Sequence, residues 1–204
     1  MIKRLVLWML LLASNLLVAP AAFADAPIEG RLGRDEIRYM TQMMDHHSMS
    51  VMMSNDCLTK AETEEVLSLC QHILDAQMAE IEELRGWLSG WYGIDYDPMS
   101  MMNMMQGGMD ATPEASATEE TTMMSMDMPM SGMMVVLMGL EGQAYEVVFM
   151  ETMIEHHDQA IHMSERLLER AADGHAELLE FAQRVINDQS AEIAEMETLI
   201  AERQ

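Results

Sequence analysis

The feature that most constrains the fold is an internal repeat. At an offset of 110 positions, Tyr39, Met40, Met43, Asp45, His46, His47, Met53 and Ser54 match Phe149, Met150, Met153, Glu155, His156, His157, Met163 and Ser164. Farther along, the offset becomes 112, and Gln71, Gln77, Glu80, Ile81 and Leu84 match Gln183, Gln189, Glu192, Ile193 and Met196. Each copy is therefore two elements joined by a turn, and the second turn is two residues longer. Ile37, Met40, Met44, His47 and Val51 recur at three- and four-residue steps, as do Val147, Met150, Ile154, His157, Ile161 and Leu168. That period belongs to amphipathic helices. Second helices are expected over about 62–88 and 175–202, with Gly174 breaking the second copy between its helices. Few aromatics and abundant Glu, Leu and Ala agree with an all-α chain.

Cys57 and Cys70 are the only cysteines. An even pair across a short turn reads as a disulfide in an oxidising compartment, with metal-binding thiols as the alternative. A loop of that size would contribute roughly 3 kcal/mol. The bridge would also set the register of the first hairpin, placing Glu80 level with His47. Carried through the repeat, the same register centres the second turn on Gly174 and His175. It sets Glu192 level with His157 and Met196 level with Met153.

Four segments follow: a leader at 1–24, a first hairpin at 35–95, a Met-rich linker at 96–134 and a second hairpin at 135–204. Residues 98–134 hold 13 of the 27 methionines among Gly, Pro, Ser and Thr, without a long helical stripe. Such a length of loop is functional or a flexible spacer. Lys3 and Arg4, an apolar run and Ala22-Phe23-Ala24 form a secretory signal with cleavage before Asp25. The apolar run is shorter than the ~20 residues that span a bilayer, so export without membrane insertion is expected. Without Lys3 and Arg4 the chain carries 9 basic residues against 35 acidic ones. Nucleic acid and anionic lipid are poor partners for that surface. The charge gathers cations without choosing among them, and it also serves solubility.

Selectivity must come from the ligands. Thioether sulfur is a soft neutral donor suited to Cu(I) and Ag(I), while imidazole also holds Cu(II). Residues three or four apart share a helix face. Met43 and Met44 thus lie beside His46 and His47, and Met153 lies beside His156 and His157. Met49, Met53 and Met163 follow within two turns, and Met196 joins from the last helix. The plainer reading of a methionine stripe is core packing, and it is preferred for Met40, Met150 and Met138. His72, His162 and His175 read as surface or turn residues. Glu80 and Glu192 read as partners that orient imidazoles rather than as Cu(I) ligands.

A di-iron oxidase would need Glu-x-x-His, yet His46, His47 and His156 are preceded three residues earlier by Met43, Met44 and Met153. No nucleophile–base pair, phosphate loop or zinc knot occurs, so an enzyme is not expected. A Met-rich protein-interaction module without metal is the other rival.

The run MIEHHDQAIHMSERLL…AQRVINDQSAEIAEMETLI resembles the His-His signature of the domain of unknown function 305 family. MMDHHSMSVMM…CQHILDAQMAEIEELRGWL resembles a more diverged copy. The resemblance covers about 35–95 and 140–202, and with the leader and Met-rich middle it extends to periplasmic copper-binding proteins. It implies a ferritin-like four-helix bundle, copper as the bound ion in either oxidation state, and silver as a chemical mimic. A periplasmic copper exporter or acceptor would be the protein partner. Copy one departs from copy two in carrying Met49 and Met52 where copy two has Gln159 and His162, which allows the two sites to differ.

Overall fold

The structure is a computed structural model and describes residues 26–98 and 137–203. The leader and nearly all of the Met-rich linker lie outside these residues. Four helices account for the described architecture: α1 (Gly30–Lys60), α2 (Glu64–Tyr92), α3 (Gly142–Arg170) and α4 (Ala176–Ala201). The chain is all-α, a bundle of two antiparallel hairpins, as the repeat predicts. No helix among the described residues is long and apolar enough to cross a membrane.

Cys57 and Cys70 form the disulfide, with their Cα atoms 6.2 Å apart. It ties the end of α1 to the first turns of α2. The α2 helix stops at Gly93, whose φ of +65° is left-handed backbone that glycine adopts without a Cβ penalty. Its N–H returns to the Ser89 carbonyl at 2.9 Å.

The hairpins meet along α1 and α3, which run antiparallel. Tyr39 Oη lies 2.9 Å from Ser164 Oγ, His156 Nε2 donates to the His46 carbonyl at 3.1 Å, and the Ser50 hydroxyl points at Met153 Sδ at 3.5 Å. The repeat maps His46 onto His156, so the axis relating the halves passes between those two residues. The apolar core is consequently divided. One cluster holds Met40, Met43, Met44, Leu84, Leu88, Met163, Phe181 and Val185. The other holds Met53, Ile73, Phe149, Met150, Met153 and Met196. The histidine pairs sit between them.

The same symmetry fastens the turns. Buried Glu146, at the start of α3, accepts the Glu62 and Thr63 amides at 2.9 and 2.8 Å in the α1–α2 turn. Buried Glu36, its counterpart 110 residues earlier, accepts the His175 amide at 2.7 Å in the α3–α4 turn. Each hairpin thus places a carboxylate at the N-terminus of the other hairpin's second helix, where the helix dipole favours negative charge. Burial alone would raise the Glu146 pKa, but the Thr63 and Glu62 amides, the Thr63 hydroxyl and Arg203 hold it below the ordinary carboxylate value.

Two expectations need correction. Met138, read as core filler, is 74% exposed, because it lies in the turn ahead of α3, off the helical stripe. His175 is at the turn as expected but is buried rather than at the surface. Its Nδ1 is 2.6 Å from Glu36 Oε2, and its ring stacks on Trp91 with centroids 3.9 Å apart.

Candidate metal centre

His46 and His47 on α1, and His156 and His157 on α3, are all within 4% of complete burial. Adjacent positions on a helix diverge by about 100°, so one histidine of each pair faces the opposing hairpin and the other faces its own second helix. The inward rings of His46 and His156 stack with centroids 3.6 Å apart and planes 30° from parallel. The outward rings meet carboxylates. His157 Nε2 is 2.7 Å from Glu192 Oε2. His47 Nε2 is 2.8 Å from Glu80 Oε2, at ion-pair distance but off the line of a hydrogen bond. The register inferred from the cysteines placed both carboxylates correctly.

These contacts fix which nitrogens are available. A ring nitrogen facing a carbonyl or carboxylate carries the proton, leaving the other nitrogen of a neutral imidazole with a free lone pair. His156 Nε2 donates to the His46 carbonyl and His157 Nε2 to Glu192. Their Nδ1 atoms, and those of His46 and His47, are buried without a hydrogen-bond partner. An unpaired buried polar atom costs about 1–3 kcal/mol, and one layer here contains several. Gln77 and Gln189, equivalent in the repeat, add further unpaired amide atoms to the buried polar set.

The stacked inner rings, His46 and His156, stay neutral at ordinary pH. Burial, then the charges of His47 and His157, pushes the His46 pKa well below its usual value. Burial, then His46, His157 and His47, does the same for His156. Neutral imidazole is the ligand form, so these two rings need not release a proton to bind a cation.

The structure brings the histidines together and divides the methionines. Met43 and Met44 are fully buried in one apolar cluster with Met163, which is 8% exposed. Met53, Met153 and Met196 are fully buried in the other, with Met49 partly buried against it. Thioethers therefore flank the imidazole layer from both ends of the bundle. Among the described residues, no three His, Cys, Asp or Glu side chains are gathered closely enough to hold an ion between them. The donors available around this layer are imidazole nitrogen and thioether sulfur, a soft set. That composition fits Cu(I) or Ag(I) and disfavours hard ions.

Sequence reasoning missed Ser50, whose hydroxyl touches the Met153 sulfur and whose counterpart is Ala160. It also missed that Glu192 is shared. Its other oxygen lies 3.5 Å from Nε2 of His72, a residue read only as surface.

An antiparallel four-helix bundle built by duplication, with paired histidines buried at its centre, defines the class of protein. The family model described as Domain of unknown function (DUF305) matches residues 36–200, and the chain belongs to that family. Solved structures of similar fold include CopM in its Cu(II)-bound form, with a TM-score of 0.61 and 23% identity, covering 83% of this chain and 97% of that one. CopM in its Cu(I)-bound form gives 0.57 and 22%, covering 82% and 96%. A DUF305 protein from Streptomyces coelicolor gives 0.60 and 27%, covering 83% and 93%. No curated protein sequence matches the chain significantly.

Proposed function

We propose that this protein binds copper in an oxidising, periplasm-like compartment, sequestering Cu(I) and Cu(II) or passing them to an exporter or acceptor, and so supports copper tolerance. The observation that carries this reading is the buried layer of four imidazoles with unpaired Nδ1 atoms, flanked by thioethers. Folding retains such a penalty where a ligand repays it. His46, His47, His156 and His157 are the nitrogen ligands, and Met43, Met44, Met49, Met53, Met153, Met163 and Met196 supply the sulfur. Glu80 and Glu192 orient the outer rings. The protein binds metal as cargo and does not turn over a substrate. CopM has been solved with Cu(II), Cu(I) and silver, the ions this donor set favours. The Cys57–Cys70 bridge agrees with an exported protein, as does the leader sequence. The Met-rich linker would serve as a low-affinity Cu(I) collector.

Titrating the mature protein with Cu(I), Ag(I), Cu(II), Zn(II) and Fe(II) tests the reading. Copper and silver should bind in preference to zinc and iron, and replacing all four paired histidines by alanine should lower copper stoichiometry. Unchanged Cu(I) and Cu(II) stoichiometry in that variant, or preferential uptake of Fe(II), would refute it.

A further inference from the structure

The paired histidines are closed off from water, so an arriving ion must cross the wall of the bundle. Among the described residues two carboxylates reach the buried rings through that wall, Glu80 at His47 with its side chain 15% exposed and Glu192 at His157 with 9%, and only Glu192 has a solvent-facing imidazole at its outer side. His72 on α2 is 70% exposed at its side chain, and its Nε2 lies 3.5 Å from Glu192 Oε1. The other oxygen of the same carboxylate lies 2.7 Å from Nε2 of buried His157. A single Glu192 side chain, 9% exposed, therefore spans from a solvent-facing imidazole to an enclosed one. The repeat shows what the matching approach looks like without such a chain. Glu80 is the counterpart of Glu192 and meets His47, but the counterpart of His72 is Arg184. Arg184 is paired with Glu83 at 2.5 Å and sits over the Phe181 ring, 5.3 Å from its centroid. A guanidinium offers no lone pair to an incoming cation.

We propose that His72 is the entry ligand, taking up a copper ion from solvent and passing it by way of the Glu192 carboxylate to the imidazole layer. The two halves then share a terminal site, but only one approach carries an imidazole at its outer end. Ligand exchange proceeds one donor at a time. The ion exchanges bound water for the free imidazole and the carboxylate, then gives up His72 as an inner ring turns to meet it. His72 supplies a borderline nitrogen donor on a surface whose excess of carboxylates already concentrates cations. It takes no part in the filled site.

The inference rests on the copper reading, and the test separates the two. The full mature chain is mixed rapidly with Cu(II), and both the rate of appearance of the Cu(II)–imidazole absorption and its endpoint are recorded. His72→Ala should slow filling by roughly tenfold, the lower end of what removing an outer partner of a metal ligand costs, while the same endpoint is reached. Arg184→His should speed Cu(II) filling by placing an imidazole at the second approach. His72→Ala filling at the wild-type rate would overturn the proposal. So would a lowered endpoint with unchanged kinetics, which would make His72 a separate surface site. An endpoint that ignores the four paired histidines would instead refute the copper reading itself. Helical circular dichroism of each variant confirms the fold.

Discussion

The two hairpins carry the same histidine–carboxylate pairing but are fastened differently. Hairpin one is closed covalently by Cys57–Cys70, and its turn is held by Glu146, with Arg203 Nε 3.2 Å from that carboxylate. Hairpin two has no covalent tie. Its turn depends on Glu36, which accepts the His175 amide and imidazole and the Tyr92 hydroxyl. The repeat gives both halves a buried histidine pair, and different contacts hold each hairpin's turn. The difference predicts that hairpin two is the more easily opened.

The largest effect should come from Glu36→Ala. It leaves several buried donors without an acceptor, and removing one partner of such a buried cluster costs about 3–5 kcal/mol. Urea denaturation should show Glu146→Ala costing less while the disulfide is intact, because the α1–α2 turn remains tied. Equal losses would show that the bridge is not what separates the halves. Next, Cys57→Ser/Cys70→Ser should destabilise by roughly 3 kcal/mol and bring the Glu146→Ala loss up toward that of Glu36→Ala.

Acid should act in two stages. His46 and His156 have folded pKa values well below the unfolded value of 6.5, so the unfolded chain takes up their protons first. Their contribution is complete above pH 6.5. It declines below that pH by up to about 1.4 kcal/mol per pH unit for each ring. Glu146, depressed below 4.5, contributes a loss only at lower pH still. Thermal melts of the metal-free protein should begin to fall below about pH 6.5, and a flat profile from pH 7 to 5 would contradict buried neutral rings.

The smallest effect should be Ser50→Ala, which removes a weak hydrogen bond to sulfur worth about 1 kcal/mol or less. It makes the surroundings of Met153 resemble those given by Ala160 in the other copy. Silver binding by the two sulfur groups should become more alike.

The repeat and the cysteine spacing made the hairpins legible in the sequence, and with them the Glu80 and Glu192 contacts. Local spacing carries that information, because a covalent bridge fixes a register. The meeting of His46 with His156 was not legible. It depends on how two apolar faces pack across a long connection, and many crossings bury such stripes equally well. Glu36 and Glu146 escaped notice for a different reason. A charged residue at the start of a helix ordinarily reads as solvated, and only the partner hairpin makes it buried. Comparing these positions at the offset of 110 would have exposed the pair. Ser50 and His72 lie where the copies differ, so matching residues between the copies passes over them.

The most direct test is X-ray absorption at the copper edge on the full mature chain carrying one Cu(I). Imidazole scattering together with sulfur should be present in the wild type, and the imidazole part should vanish when His46, His47, His156 and His157 are replaced. A spectrum with oxygen neighbours only, or one identical in the two proteins, would contradict a copper site in the buried histidine layer.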